Sequence, residues 1–362
     1  MGAAGSRRIE DRLARRGGVV ELLRIPAALF GVVAGLRGSL YDRGWLPSDR
    51  LDLPVVSVGN LTAGGTGKTP MVAWLVRAFE SRGLRPAIVS RGYGAKAGEE
   101  NDEARALAAE FPDVPHVLDA DRARGARSLG ERADVIVLDD AFQHRRLARD
   151  LDLVLVDATR PWGLSPEADS SSEGVEAFLP RGLLREAPRA LARANAIILT
   201  RTDQVPTDEL ERLVERIASE APGVPVARSE HRPARLRSTS GEVLEPGALA
   251  GRKVDLVSGI GNPAAFEASV LALGASVAEH RRFPDHHAFA AGDLAGLGTD
   301  GRWVITTAKD AVKLEGVELD LRVLEIELAL TTGGPVIEAL LDALPPGRAL
   351  LERRALHEGL HG

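Results

Sequence analysis

Ser57-Val58-Gly59-Asn60-Leu61-Thr62-Ala63-Gly64-Gly65-Thr66-Gly67-Lys68-Thr69-Pro70 decides the fold of this chain. The apolar run 54–59 reads as a strand, which enters a glycine-rich turn and leaves as a helix over 68–82. Glycines let backbone amides converge on phosphate oxygens, and the helix N-terminus adds positive potential. The pattern assigns Thr62, Ala63, Gly64, Gly65, Thr66, Gly67, Lys68 and Thr69 to a nucleotide. Lys68 reaches the β- and γ-phosphates, and the Thr69 hydroxyl faces Mg2+. A strict phosphate loop carries glycine where Thr62 stands, but the core from Gly64 to Thr69 is intact. The chain has only five lysines, Lys68, Lys96, Lys253, Lys309 and Lys313, so a lysine at this position is a rare choice.

Such a loop needs an acidic strand end to organise the magnesium shell. Val135-Ile136-Val137-Leu138-Asp139-Asp140 supplies one, and both carboxylates are candidates. Further near-continuous apolar runs at 86–90, 133–138, 151–156 and 194–200 read as strands buried on both faces of a parallel sheet. Helical stretches alternate with them, which gives right-handed βαβ units. Residues 161–187 read as a long loop containing Ser170-Ser171-Ser172. A helix is expected at 207–219 and a short strand at 224–228. The polar, arginine-rich stretch 230–240 reads as a boundary. A second α/β unit follows, with strands at 254–258, 303–307 and 321–326 and helices from Pro263 and Pro335. The fold class is therefore α/β: a P-loop NTPase-like, mostly parallel sheet with helices on both faces, a smaller C-terminal α/β lobe and an N-terminal helical segment. The expected divisions are 1–50, 51–232, 233–345 and a peripheral tail, 346–362.

Composition excludes several classes. The 362 residues are 44% hydrophobic and 27% charged, which is a soluble globular balance rather than a disordered or fibrous one. Without cysteine there is no disulfide, iron–sulfur cluster, thiolate zinc site or cysteine nucleophile. A net charge of −6 argues against a general nucleic-acid binder. The first fifty residues run against this trend, with nine arginines and five acids. Their apolar run 25–36 is too short to span a bilayer. It reads either as a helix packed on the domain or as an interfacial helix on an anionic leaflet.

Three other clusters carry polar groups. Asp102 and Glu103 follow the second strand, where Asn101 or Asp102 reads as the cap of a helix over 103–110. Phe283-Pro284-Asp285-His286-His287 has no third ligand at zinc-type spacing, so it reads as a turn or a histidine–carboxylate pair. Thr200-Arg201-Thr202-Asp203 faintly resembles a base-reading element, with arginine where lysine is expected.

The ordered motifs resemble one family, the tetraacyldisaccharide 4'-kinases of lipid A biosynthesis, from about residue 20 to 345. They are the phosphate loop, Ser90-Arg91-Gly92-Tyr93-Gly94, Leu138-Asp139-Asp140-Ala141-Phe142-Gln143-His144, and Leu179-Pro180-Arg181-Gly182-Leu183-Leu184-Arg185-Glu186. Gly259-Ile260-Gly261-Asn262-Pro263, Phe283-Pro284-Asp285-His286-His287 and Thr306-Thr307-Ala308-Lys309-Asp310-Ala311-Val312-Lys313-Leu314 complete the set.

The resemblance implies a kinase using ATP and Mg2+ to phosphorylate the 4'-hydroxyl of an acylated glucosamine disaccharide 1-phosphate. It implies peripheral contact with the cytoplasmic face of the inner membrane, with no nucleic acid and no obligate protein partner. It assigns Asp102 as the general base, His286 as its partner, Glu103 to the metal region with Thr69, Asp139 and Asp140, and Arg185 to the transferred phosphate beside Lys68. Asn101 and Ala104 depart from the family's Gly-Asp-Glu-Pro pattern, Ala141 replaces a glycine, and 165–176 reads as an insertion. A regulatory P-loop ATPase and a kinase of a soluble acceptor are the alternatives.

Overall fold

A computed structural model describes residue 13 and residues 17–92, 102–164, 175–260, 263–284, 287–314, 317 and 319–346. The chain divides into two units. The larger takes the described residues of Asp11–Glu99, Phe111–Glu230 and Leu328–Gly362; the smaller takes those of Glu100–Glu110 and His231–Glu327.

The larger unit begins with a 3-10 turn, Gly18–Leu23, and helix α1, Arg24–Asp42. Strand β1 (Val55–Asn60) leads through the glycine turn into α2 (Lys68–Ser81), and β2 (Pro86–Ser90) follows. The smaller unit takes α3 (Asp102–Glu110) out of this succession. The larger unit resumes with β3 (His116–Leu118), α4 (Arg122–Leu129), β4 (Val135–Asp139), β5 (Leu151–Asp157), β6 (Ala196–Thr200) and α5 (Thr207–Glu220). Its strand order is β6-β5-β1-β4-β2-β3, and every neighbouring pair is parallel. The five longer strands are buried along their whole length, which is why they read as unbroken apolar runs. Strand β1 lies between β4 and β5, with Val58 opposite Asp139 and Gly59 opposite Val154. The loop after β1 and the acid at the end of β4 thus leave the sheet side by side, at the carboxyl edge where open α/β sheets bind ligands.

Strand β7, Val226–Ser238, starts in this unit and ends in the smaller one. The polar stretch 230–240, read as a boundary, is therefore largely strand. Its alternating partial burial, rather than an apolar run, hid it from the sequence. In the smaller unit β8 (Val243–Leu244), β9 (Lys253–Ser258), α6 (Pro263–Ala272), β10 (Ser276–Arg282), β11 (Trp303–Thr307), the one-turn helix α7 (Ala308–Ala311) and β12 (Leu321–Thr332) follow, the end of β12 from Leu328 belonging to the larger unit. Strands β10, β9, β11 and β12 are parallel neighbours in that order. The last helix, α8 (Gly334–Asp342), returns to the larger unit, where Asp342 accepts a hydrogen bond from Arg82 Nε at 2.8 Å.

Helix α1 is held by polar contacts near its C-terminal end. Arg37 donates to the Gln143 carbonyl (3.0 Å), and Arg145 donates to Gly38 O (2.9 Å) and pairs with Asp42 (2.6 Å). Its apolar side is open: Ile25 is 74% exposed, Val32 67% and Leu29 65%, and Ala27 is its buried residue. The helical stretch Gly18–Asp42 is long and apolar enough to cross a membrane by length and composition. The helical stretch is longer than the apolar run 25–36 because Val19, Val20, Leu22 and Leu23 continue it on the far side of Arg24.

Candidate nucleotide and phosphoryl-transfer site

The turn after β1 is built by glycine geometry. Gly67 sits at the N-cap of α2 with φ +90°, a left-handed conformation that side chains disfavour. A Cβ on Gly59 would lie 2.5 Å from that of Phe142 and 2.7 Å from its backbone nitrogen, so β1 passes this backbone only as glycine. The residue before Lys68 thus turns the backbone, and the residue after β1's core lets the Asp139-Asp140-Ala141-Phe142 segment pack against it.

Lys68 Nζ lies 3.4 Å from Asn60 Oδ1 and 3.6 Å from Asp140 Oδ1. Both contacts are long, so the ammonium is held in place without being tightly bound. Asp140 has a second cation: Arg185 Nη1 donates to its two oxygens at 2.8 and 3.0 Å. Burial pushes the Asp140 carboxyl upward, but Lys68, Arg185 and Arg122 outweigh it and hold the group below its usual range. Asp139, buried at the end of β4, is the other carboxylate of this pair.

The loop is braced from β5 and β6. Thr200 Oγ1 donates to Thr66 O (3.0 Å), and Arg201 donates to Gly65 O (2.9 Å) while its other nitrogen pairs with Asp157. Thr200-Arg201 thus scaffolds the phosphate loop through its carbonyls, a role the faint base-reading resemblance did not suggest. On the other side, Ala63 N donates to Leu183 O and Arg185 N to Leu61 O, both at 2.7 Å. These bonds tie the Leu183-Leu184-Arg185 segment to the loop and aim Arg185 at Asp140. They also commit the Ala63 amide to a protein carbonyl.

Sequence reasoning assigned no role to Arg122, the first residue of α4, which is 2% exposed. Burial lowers the pKa of its guanidinium, while the charges of Asp139 and Asp140 raise it. No periodic pattern announces it, because the buried face of α4 is Arg122, Ala123, Gly125, Ala126 and Leu129. His144, at the end of the same acidic motif, is pushed down to about 4 by burial and by the positive charges of Arg122 and Arg149.

The donors present suit a hard cation. Asp139, Asp140 and the Thr69 hydroxyl are all oxygen ligands, as Mg2+ prefers. The buried Thr66 hydroxyl has no hydrogen-bond partner among the described residues, which leaves one polar atom of the loop for a ligand.

The remaining assigned residues lie in the smaller unit. Asp102 and Glu103 open α3, so the helix starts at the proposed base itself. Asp102 Oδ2 is 3.5 Å from Lys313 Nζ, and Glu103 Oε1 is 3.7 Å from Lys309 Nζ. His286 falls outside the described residues. Its neighbour His287 is described: it pairs with Asp293 Oδ2 at 2.9 Å and stacks on Phe283.

A central parallel strand, a glycine turn, a lysine at the helix start and an acid on the adjacent strand define a P-loop nucleotide-binding α/β protein. The model of the tetraacyldisaccharide-1-P 4'-kinase family matches residues 19–345. The chain belongs to that family, and its activity is that of a tetraacyldisaccharide 4'-kinase of lipid A biosynthesis. It is 42% identical over 352 residues to the tetraacyldisaccharide 4'-kinase of Anaeromyxobacter dehalogenans, covering 89% of each chain. The enzyme of the same name from Chlorobaculum tepidum is 38% identical, with 92% of this chain and 96% of that one covered. A crystal structure of LpxK from Aquifex aeolicus in complex with ATP superposes with a TM-score of 0.70 at 27% identity, covering 92% of this chain and all of that one.

Proposed function

We propose that the chain transfers the γ-phosphoryl group of MgATP to the 4'-hydroxyl of a tetraacylated glucosamine disaccharide 1-phosphate. The observation that carries this reading is Lys68, suspended by long contacts between Asn60 and Asp140 at the mouth of a glycine turn. An incoming β/γ-phosphate takes the ammonium, and Arg185 remains on Asp140 to balance its charge. The P-loop core 51–232 holds the nucleotide, and the lobe 233–345, with α3, contributes the acceptor-side groups. Thr69, Asp139, Asp140 and Glu103 are the residues that would hold Mg2+, which neutralises phosphate charge when bound. Asp102, assisted by His286, accepts the proton of the sugar hydroxyl. That oxygen attacks the γ-phosphorus, the bond to the β,γ-bridging oxygen breaks, and ADP leaves. Transfer acidifies the hydroxyl as it proceeds, so the proton moves to Asp102 late in the step.

The exposed apolar side of α1 suits peripheral contact with the cytoplasmic leaflet, where the acyl chains of such a substrate reside. Anionic vesicles should therefore sediment with the protein, and Ile25→Ser/Leu29→Ser/Val33→Ser should weaken this. Undiminished sedimentation would remove α1 as the docking element.

The direct test is transfer of radiolabelled γ-phosphate from ATP to the tetraacylated disaccharide 1-phosphate in detergent micelles with Mg2+. Asp102→Ala should lower turnover by about 10^2–10^4 and leave ATP affinity nearly unchanged. Unchanged turnover removes Asp102 as the base, and ATP consumption without labelled lipid moves the reading to another acceptor.

A further inference from the structure

Two of the chain's five lysines stand four residues apart, Lys309 in α7 and Lys313 just after it, and the nucleotide chemistry uses neither. Lys313 lies two residues past the end of α7, in the turn that follows it. The two acids they meet, Glu103 and Asp102, are consecutive at the start of α3.

The two pairs are not equivalent. Lys313 is 8% exposed, and its Nζ lies 2.8 Å from Oδ1 of Asp310, which is fully buried. The other oxygen of Asp310 accepts from the Gly259 amide (2.9 Å) and the Thr307 hydroxyl (2.8 Å). Asp310 is therefore fixed by the Gly259 turn after β9 and by the cap of α7, and its charge holds the Lys313 ammonium as a close ion pair without hydrogen-bond geometry. The Phe289 ring, with its centroid 5.3 Å from Nζ, closes another side of the ammonium. A lysine ordinarily has a flexible stem whose ordering costs entropy. Here that ordering is done by the core of the unit, and the ammonium faces Asp102 at 3.5 Å.

We propose that Lys313 is a positioning residue for phosphoryl transfer: anchored on buried Asp310, it sets the carboxylate of Asp102. This rests on the reading of Asp102 as the base. It gives the Thr306-Thr307-Ala308-Lys309-Asp310-Ala311-Val312-Lys313 segment a purpose that the nucleotide site does not. Pre-organisation of this kind acts on the proton-accepting step and not on nucleotide affinity.

The test is a double-mutant cycle in the full-length chain, with MgATP and the tetraacylated disaccharide 1-phosphate. Lys313→Gln should lower kcat by about tenfold or more with KM for ATP little changed, and Lys313→Arg should recover part of the loss. In an Asp102→Asn background, Lys313→Gln should produce no further loss. Lys313→Gln leaves a buried carboxylate without its cation, which endangers folding. Asp310→Asn/Lys313→Gln removes both charges together and should show the same kcat loss and the same absence of effect beside Asp102→Asn. Wild-type kcat in either variant overturns the proposal, as does a loss that multiplies with that of Asp102→Asn or falls on KM for ATP. Full turnover in Asp102→Asn alone overturns the base reading, and the proposal with it. A drop there with normal kcat in the Lys313 variants overturns the proposal by itself.

Discussion

Lys68 and Lys313 are both lysines set between two polar partners, and they are built for opposite purposes. Lys68 lies 3.4 and 3.6 Å from its partners, and its carboxylate has Arg185 as a substitute cation. Lys313 has a 2.8 Å contact to a carboxylate that solvent does not reach, and that carboxylate is itself held by an amide and a hydroxyl. The first lysine can leave its partner for a ligand at little electrostatic cost, while the second cannot move without exposing a buried charge. Distance and the burial of the partner, rather than residue type, separate the lysine proposed to meet a ligand from the one proposed to position a carboxylate.

The largest break in this comparison is Lys68→Met. Loss of a charge aimed at the transferred phosphate should lower turnover by about 10^2–10^3 while the melting temperature stays near wild type. A large loss of stability would mean that Lys68 is structural, like Lys313. Asp140→Asn sharpens the contrast more gently. With its competing carboxylate gone, Lys68 should bind magnesium-free ATP about threefold to tenfold more tightly, even as magnesium-dependent turnover falls. Unchanged or weaker magnesium-free binding would show that Asp140 does not compete for Lys68.

The smallest effect is on pH. Burial and the positive charges of Arg122 and Arg149 lower the pKa of His144 from 6.5 to about 4. The unfolded chain binds the proton between these values and the folded chain does not, so stability falls as pH drops from 6.5 toward 4. His144→Gln should flatten this part of the profile by about 1–2 kcal/mol, discounted for the partial exposure of the ring. An unchanged slope in denaturant melts across that range would place the acid sensitivity elsewhere.

Legibility followed burial. The strands at 86–90 and 303–307 were read to the residue, and 151–156 to within one, because burial on both faces leaves an unbroken apolar run. Strand β10, Ser-Val-Ala-Glu-His-Arg-Arg, was missed: it lies at the sheet edge with little of it buried, so its sequence carries charges instead of a pattern. Helix α4 escaped because its buried face is small residues and an arginine. Around the glycine turn, the placement of Lys68 and Thr69 at the start of α2 and of Asp139-Asp140 at the end of β4 was legible because these residues are close in sequence or follow a strand. Arg122 and the Thr200-Arg201 brace were not, since each meets the phosphate loop or its acids from a distant part of the chain.

The order of residues along the chain was enough for the nucleotide loop, the acidic strand end, the parallel α/β class and the family, because each is written in contiguous motifs and local periodicity. Packing alone selected which charges meet. It turned Asp140 toward Lys68 and Arg185, put Arg201 under the loop carbonyls, and stood Lys313 between Asp310 and Asp102. Those pairings join residues 45 to more than 200 positions apart, or depend on which oxygen of a buried carboxylate is already satisfied. Local sequence carries no record of either, because a pairwise electrostatic contact is settled by distance and desolvation in the folded chain.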